Sequence, residues 1–90
     1  RESPALDVMH LLKRRGARLT YSDPFVPQLR VDDLEMQSAD PETMAAEADC
    51  VVIITDHSAF DYLRLLECAR LIVDTRNALK GLNPAKVVRL

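Results

Sequence analysis

Arg76 stands just beyond a short apolar run, Leu71-Ile72-Val73, with Asp74 and Thr75 between. A guanidinium presents a planar fork of N–H donors that matches the oxygens of a phosphate. Asp56-His57 holds the equivalent place after a longer run, Cys50-Val51-Val52-Ile53-Ile54-Thr55. An imidazole there could donate to a phosphate or touch a sugar. Uninterrupted apolar runs of this kind read as strands buried on both faces of a parallel sheet. In such sheets ligand groups gather beyond the carboxyl ends of the strands. Two strands tipped with polar residues therefore point to one binding edge. Each residue also has a plainer reading. Arg76 could pair on the surface with Asp74 or with a helix end. Asp56 or Ser58 could cap the next helix, the commoner role for such residues, leaving His57 to fill a loop.

Other chemistries find less support. Cys50 and Cys68 lack metal-ligand spacing, so no metal is expected. A nucleophilic thiol needs a helix N-terminus or a cation beside it, and the start of an apolar strand offers neither. Both cysteines read as structural, and no catalytic residue is assigned. The two glycines, Gly16 and Gly81, lie far apart, so there is no Gly-rich loop to cradle a dinucleotide. His10 reads as a partly buried helix histidine, and Asp23-Pro24 as a chain reversal.

The elements that would position these residues follow from local signals. Ser3-Pro4 starts a helix, Ala5, Val8, Met9 and Leu12 form its apolar stripe, and Gly16 stops it after Lys13-Arg14-Arg15. Residues 17–22 read as a strand and 34–37 as a short edge strand. Asp40-Pro41 starts a second helix that runs to about residue 48. A strand over 50–55 follows, then a helix capped by Ser58 with Asp61 in the N3 place of a capping box. A strand over 70–73, a loop with Gly81 and Pro84, and a last strand over 87–90 complete the chain. Strands alternating with helices predict an α/β fold, a three-layer Rossmann-like domain with a mainly parallel sheet. Doubly wound domains usually open with a strand that becomes central, and none precedes the first helix here. The sheet is therefore expected to lack its first strand unless another chain or a segment upstream in the parent protein supplies it, and an unpaired central edge invites strand exchange or dimer pairing.

Ninety residues make one small domain with a thin core. With 12 basic and 14 acidic residues the net charge is -2. That argues against nucleic acid, whose binders carry a basic patch. No run reaches membrane-spanning length, and there is no signal peptide, so no membrane association is expected. The unpaired cysteines fit a reducing, cytoplasmic compartment. Residues 31–61 hold nine acids and no Lys or Arg. They read as a solvated acidic face, with pairing to a basic neighbour as the sharper alternative. The chain opens on Arg1-Glu2-Ser3 without a Met and looks cut from something longer.

Four blocks in order carry a resemblance: Arg1-Glu2-Ser3-Pro4-Ala5-Leu6-Asp7-Val8, Tyr21-Ser22-Asp23-Pro24, Thr55-Asp56-His57-Ser58-Ala59-Phe60-Asp61-Tyr62 and Val73-Asp74-Thr75-Arg76-Asn77. Together they resemble the C-terminal, UDP-binding domain of the UDP-glucose/GDP-mannose dehydrogenases. The third and fourth blocks look most like the bacterial UDP-N-acetylglucosamine and UDP-N-acetylmannosamine 6-dehydrogenases. The resemblance implies a parent enzyme that oxidises a sugar C6 alcohol to a carboxylate with NAD. It implies that Arg76 contacts the UDP-sugar and that Arg1 reaches the NAD side of the cleft. The partners implied are the UDP-sugar and the remaining domains of the parent enzyme, with a homo-oligomer as a further option. The family's catalytic Cys and Lys and its NAD-binding loop are not among these 90 residues, so the isolated chain is expected to be inactive. The rival reading, from another class, is a stand-alone flavodoxin-like interaction or regulatory module.

Overall fold

The computed structural model describes residues 4–79 and 85–89. The Ser3 cap, Arg1, the Gly81 and Pro84 loop and the last residue of the 87–90 strand lie outside them. The chain divides into two units, 1–39 and 40–90.

In the first unit, helix α1 spans Pro4–Arg14, with Asp7 in its first turn and Lys13 and Arg14 in its last, both favoured by the helix dipole. Gly16 ends it at φ +91. The Gly16 amide donates to Lys13 O (3.0 Å) and the Ala17 amide to Leu12 O (3.1 Å), the paired bonds of a Schellman cap. Strands β1 (Gln28–Val31) and β2 (Leu34–Gln37) form an antiparallel hairpin closed by Asp32-Asp33. Asp32 sits at φ +54, a left-handed conformation that aspartate tolerates better than most residues. Lys13 Nζ donates to Asp33 O at 2.9 Å and lies 3.4 Å from its carboxylate, which ties α1 to the hairpin turn. His10 lies 3.5 Å from each of the two turn carboxylates.

Asp23-Pro24 is the chain reversal expected. The Phe25 amide donates to Asp23 Oδ1 (2.8 Å) and the Tyr21 hydroxyl to Val26 O (2.7 Å). Residues 17–22, however, form no strand. Tyr21 makes one parallel bridge to Ser38, and a strand exists only through a neighbour that takes its N–H and C=O groups. The segment that does pair is Gln28–Val31, which the sequence reading passed over.

In the second unit, helix α2 spans Pro41–Glu47 and is capped by Asp40, whose carboxylate accepts the Thr43 amide at 3.0 Å. Strand β3 (Val51–Ile53) leads to helix α3 (Tyr62–Cys68), and strands β4 (Ile72–Asp74) and β5 (Val87–Arg89) follow. The three strands are parallel in the order β3-β4-β5. This is the Rossmann-like α/β arrangement, and among the described residues no strand pairs with the outer side of β3. The cap of α3 is Asp61, which accepts the Arg64 amide at 3.2 Å, so the helix starts later than a Ser58 cap would place it. Strand β3 is shorter than 50–55, and β4 reaches Asp74 rather than stopping at Val73.

Ala45 of α2, Leu65 and Ala69 at α3, Ile53, Ile72 and Leu79 make the core. Strand side chains alternate, so Ile53 and Ile72 face the helices while Val52 and Val88 point the other way. Those two valines remain 38% and 44% exposed, so the expectation of a sheet buried on both faces is not met at β3 and β5. The acidic stretch is not left to solvent alone. Asp33, Glu35, Glu42 and Asp49 pair with Lys13, Arg30, Arg64 and Arg70 of this same chain. Such exposed pairs add little stability. Among the described residues no helix is long and apolar enough to cross a membrane.

Candidate functional site

Parallel pairing sets Ile53 opposite Asp74, and Asp74 opposite Arg89. The carboxyl ends of all three strands therefore open onto one edge. The segments beyond β3 and β4, which carry Asp56-His57 and Arg76, emerge there side by side. Thr75 joins them, since its amide (3.2 Å) and its hydroxyl (2.6 Å) both donate to Ile53 O.

Arg76 is exposed, and among the described residues its guanidinium enters no ion pair. The surface pairing with Asp74 is not what is found. Asp74 is fully buried and takes backbone amides instead. Its Oδ1 accepts from Arg76 and Ala78 (both 3.0 Å) and its Oδ2 from Leu79 (2.9 Å). Burial alone would raise the Asp74 pKa. The amides of Leu79, Ala78 and Arg76, with the Arg89 charge nearby, outweigh it and hold the carboxyl below its ordinary value. Asn77, inside the wrapped segment, sits at φ +56, which asparagine adopts readily. Arg89 Nη2 donates to Leu79 O at 2.8 Å and closes the far side of the loop.

The β3 side is held by Tyr62. Its hydroxyl donates to Asp56 Oδ1 (2.8 Å) and accepts the His57 amide (3.0 Å). Asp56 is therefore a hydroxyl acceptor, and the helix-capping alternative falls to Asp61. The His57 ring meets Phe60 edge to face, with centroids 5.6 Å apart. Burial, with a smaller contribution from Asp56, pushes the Tyr62 pKa up to about 12, although the His57 amide opposes it. A neutral phenol is what the fold favours. Its stabilising contribution is complete below the ordinary value of 10.0 and is lost as pH rises toward about 12. We expect absorbance at 295 nm to show a tyrosine step near that upper value, missing in Tyr62→Phe. That variant should cost roughly 1 kcal/mol, the worth of a partly buried hydrogen bond.

Several residues read from the sequence stand elsewhere or alone. Arg1 lies outside the described residues. Cys50 is exposed rather than buried at a strand start, and desolvation raises its thiol pKa, so it is no ready nucleophile. Cys68 is half-buried and free. Among the described residues no cluster fits a metal ion. The sequence reading missed Tyr62 and Asp74 as positioning groups, and Arg89 altogether. Arg89 follows Val87-Val88 much as the polar residues follow the other two strands, which was the available signal.

A parallel sheet whose polar strand tips converge on one edge defines an α/β ligand-binding domain. Residues 1–81 match the UDP-glucose/GDP-mannose dehydrogenase family, UDP binding domain, and the chain belongs to that family. It is 40% identical over 85 residues to UDP-glucose 6-dehydrogenase of Rhizobium meliloti (strain 1021), an alignment covering 86% of this chain and 19% of that protein. It is 30% identical over 88 residues to UDP-N-acetyl-D-mannosamine dehydrogenase of Methanococcus maripaludis (strain C7 / ATCC BAA-1331), covering 89% and 19%. The chain thus spans about a fifth of the length of these relatives. No solved structure matches it.

Proposed function

We propose that this chain is the part of an NAD-dependent UDP-sugar 6-dehydrogenase that grips the UDP moiety at the β3–β4 edge. Arg76 is the group that meets the diphosphate, with Asp56 and His57 bordering the same ligand. The observation that carries the reading is the exposed Arg76 guanidinium, which enters no ion pair among the described residues, at the carboxyl edge of a parallel sheet, in a chain of this family. Its contribution to oxidation is positional. Holding the nucleotide fixed presents the sugar C6 to the reacting groups, and such orientation lowers the barrier without a chemical step in this domain.

The residues of this chain do not suit NAD itself. There is no Gly-rich loop, and the amides of Arg76, Ala78 and Leu79 beyond β4 are already taken by Asp74. NAD, the catalytic groups and the sugar contacts are assigned to the remaining domains of the longer protein, Arg1 being the one residue here proposed to reach toward the cofactor. The test is titration calorimetry of the full-length protein with UDP and with uridine. UDP should bind at least about tenfold more tightly, since charge-assisted contacts to the diphosphate are worth more than about 1.4 kcal/mol. Equal affinities would place the recognition elsewhere.

A further inference from the structure

Asp74 is a buried charge to which the proposed reading gives no part in gripping UDP. It lies under the loop that carries Arg76, and its two oxygens hold the amides of Arg76, Ala78 and Leu79. Successive backbone amides turned toward one point, with a residue in the left-handed region among them, make the kind of nest that binds a phosphate in anion-binding loops. Asn77 supplies the left-handed residue here. The anion in this nest is the chain's own carboxylate.

We propose that Asp74 is the positioning residue for Arg76: an internal carboxylate that fills the loop's amide nest, sets the guanidinium at the strand edge, and leaves phosphate recognition by this loop to that side chain. This rests on the proposed UDP site and adds how it is built. Two consequences distinguish it from an ordinary buried carboxylate. Asp74 acts on ligand affinity only through Arg76. The loop, with the amides of Arg76, Ala78 and Leu79 engaged, offers the ligand a side-chain cation in place of those backbone donors.

Asp74→Asn is the informative variant. It keeps the volume but turns one acceptor into an N–H2 group facing a backbone amide, so the nest is partly undone. UDP affinity of the full-length protein is measured by calorimetry for the wild type, Arg76→Ala, Asp74→Asn and the double variant. With Arg76 present, Asp74→Asn should weaken UDP binding by about fivefold or more. In the Arg76→Ala background it should change affinity by less than about twofold, because coupled residues are non-additive. A second arm uses Asp74→Ala with added formate, which supplies a free carboxylate of the right shape. Formate should restore UDP affinity in Asp74→Ala and leave the Asp74→Ala/Arg76→Ala protein unchanged. Equal losses from Asp74→Asn in both backgrounds overturn the proposal, as does wild-type affinity in the single variant. If Arg76→Ala alone binds UDP normally, the site reading fails and this inference with it. If Arg76→Ala weakens binding while the effects simply add, only the positioning role is lost.

Discussion

Replacing Arg76 with alanine is expected to weaken UDP binding by about 10- to 100-fold while leaving the fold intact. A hydrogen bond between a charged donor and a charged acceptor is worth about 1.5–3 kcal/mol, and each 1.4 kcal/mol is a factor of ten. The exposed side chain makes no ion pair within the described residues, so its removal should cost the fold little. The structural work at this position is done by the Arg76 amide on Asp74, which alanine keeps. Thermal denaturation should therefore be unchanged while calorimetry registers the loss. Arg76→Lys should recover only part of the affinity, since an ammonium retains the charge without the planar fork. Because Arg76 is exposed, salt should screen the contact, and the gap between wild type and variant should narrow near 1 M salt. An Arg76→Ala protein with unaltered UDP affinity would remove this residue from the site.

The second large effect is on stability. Asp74→Ala leaves three amides without their acceptor, that of Leu79 buried and those of Arg76 and Ala78 partly buried. Stranding a buried donor costs about 1–3 kcal/mol and a partly buried one less, so the loss should be roughly 3 kcal/mol. Small domains have only about 5–15 kcal/mol in total, so the variant should unfold at clearly lower denaturant. The same carboxylate gives a pH signature. Its pKa in the fold lies below the ordinary 3.8, so its contribution is complete above that value and fades as pH falls through the lower one. Chemical denaturation of the wild type between pH 5 and pH 2 should show this acid loss, with a visibly shallower slope in Asp74→Ala. Identical slopes would mean that other carboxylates, such as the N-cap Asp40, dominate the acid transition.

Much of this arrangement was legible before any coordinates, for reasons that differ by element. Helices α1 and α2 announce themselves through Pro4 and Asp40-Pro41 and through the Gly16 stop, which are local events that tertiary context did not override. The apolar cores of β3 and β4 were legible because three or more aliphatic residues in a row have few other fates in a chain this short. Their parallel pairing followed from the helix between them, and with it the shared edge. Less was legible where a residue's role depends on what surrounds it. Residues 17–22 alternate like a strand, yet a strand needs a neighbour, and none among the described residues supplies more than the Tyr21–Ser38 bridge. Ser58 and Asp61 are both credible caps, and only the observed bond from the Arg64 amide chooses between them. Asp74 looked like a surface partner for a cation because sequence shows charge and not burial. Tyr62 stood out in the sequence only as the end of the Thr55–Tyr62 block. Its hydroxyl reaches back to Asp56 and His57, a closure that no linear pattern announces.

The loop after β4 is neither helix nor strand, yet the protons on Ala78 and Leu79 are sealed against a carboxylate in the interior. In heavy water those two sites should trade hydrogen for deuterium slowly, at the pace of the sheet and far behind ordinary surface turns. A rim fastened in this way has little freedom to flap over a nucleotide at the proposed site. Whatever closing movement the full-length protein makes should therefore carry this rim as a rigid jaw, with the hinge lying in another segment.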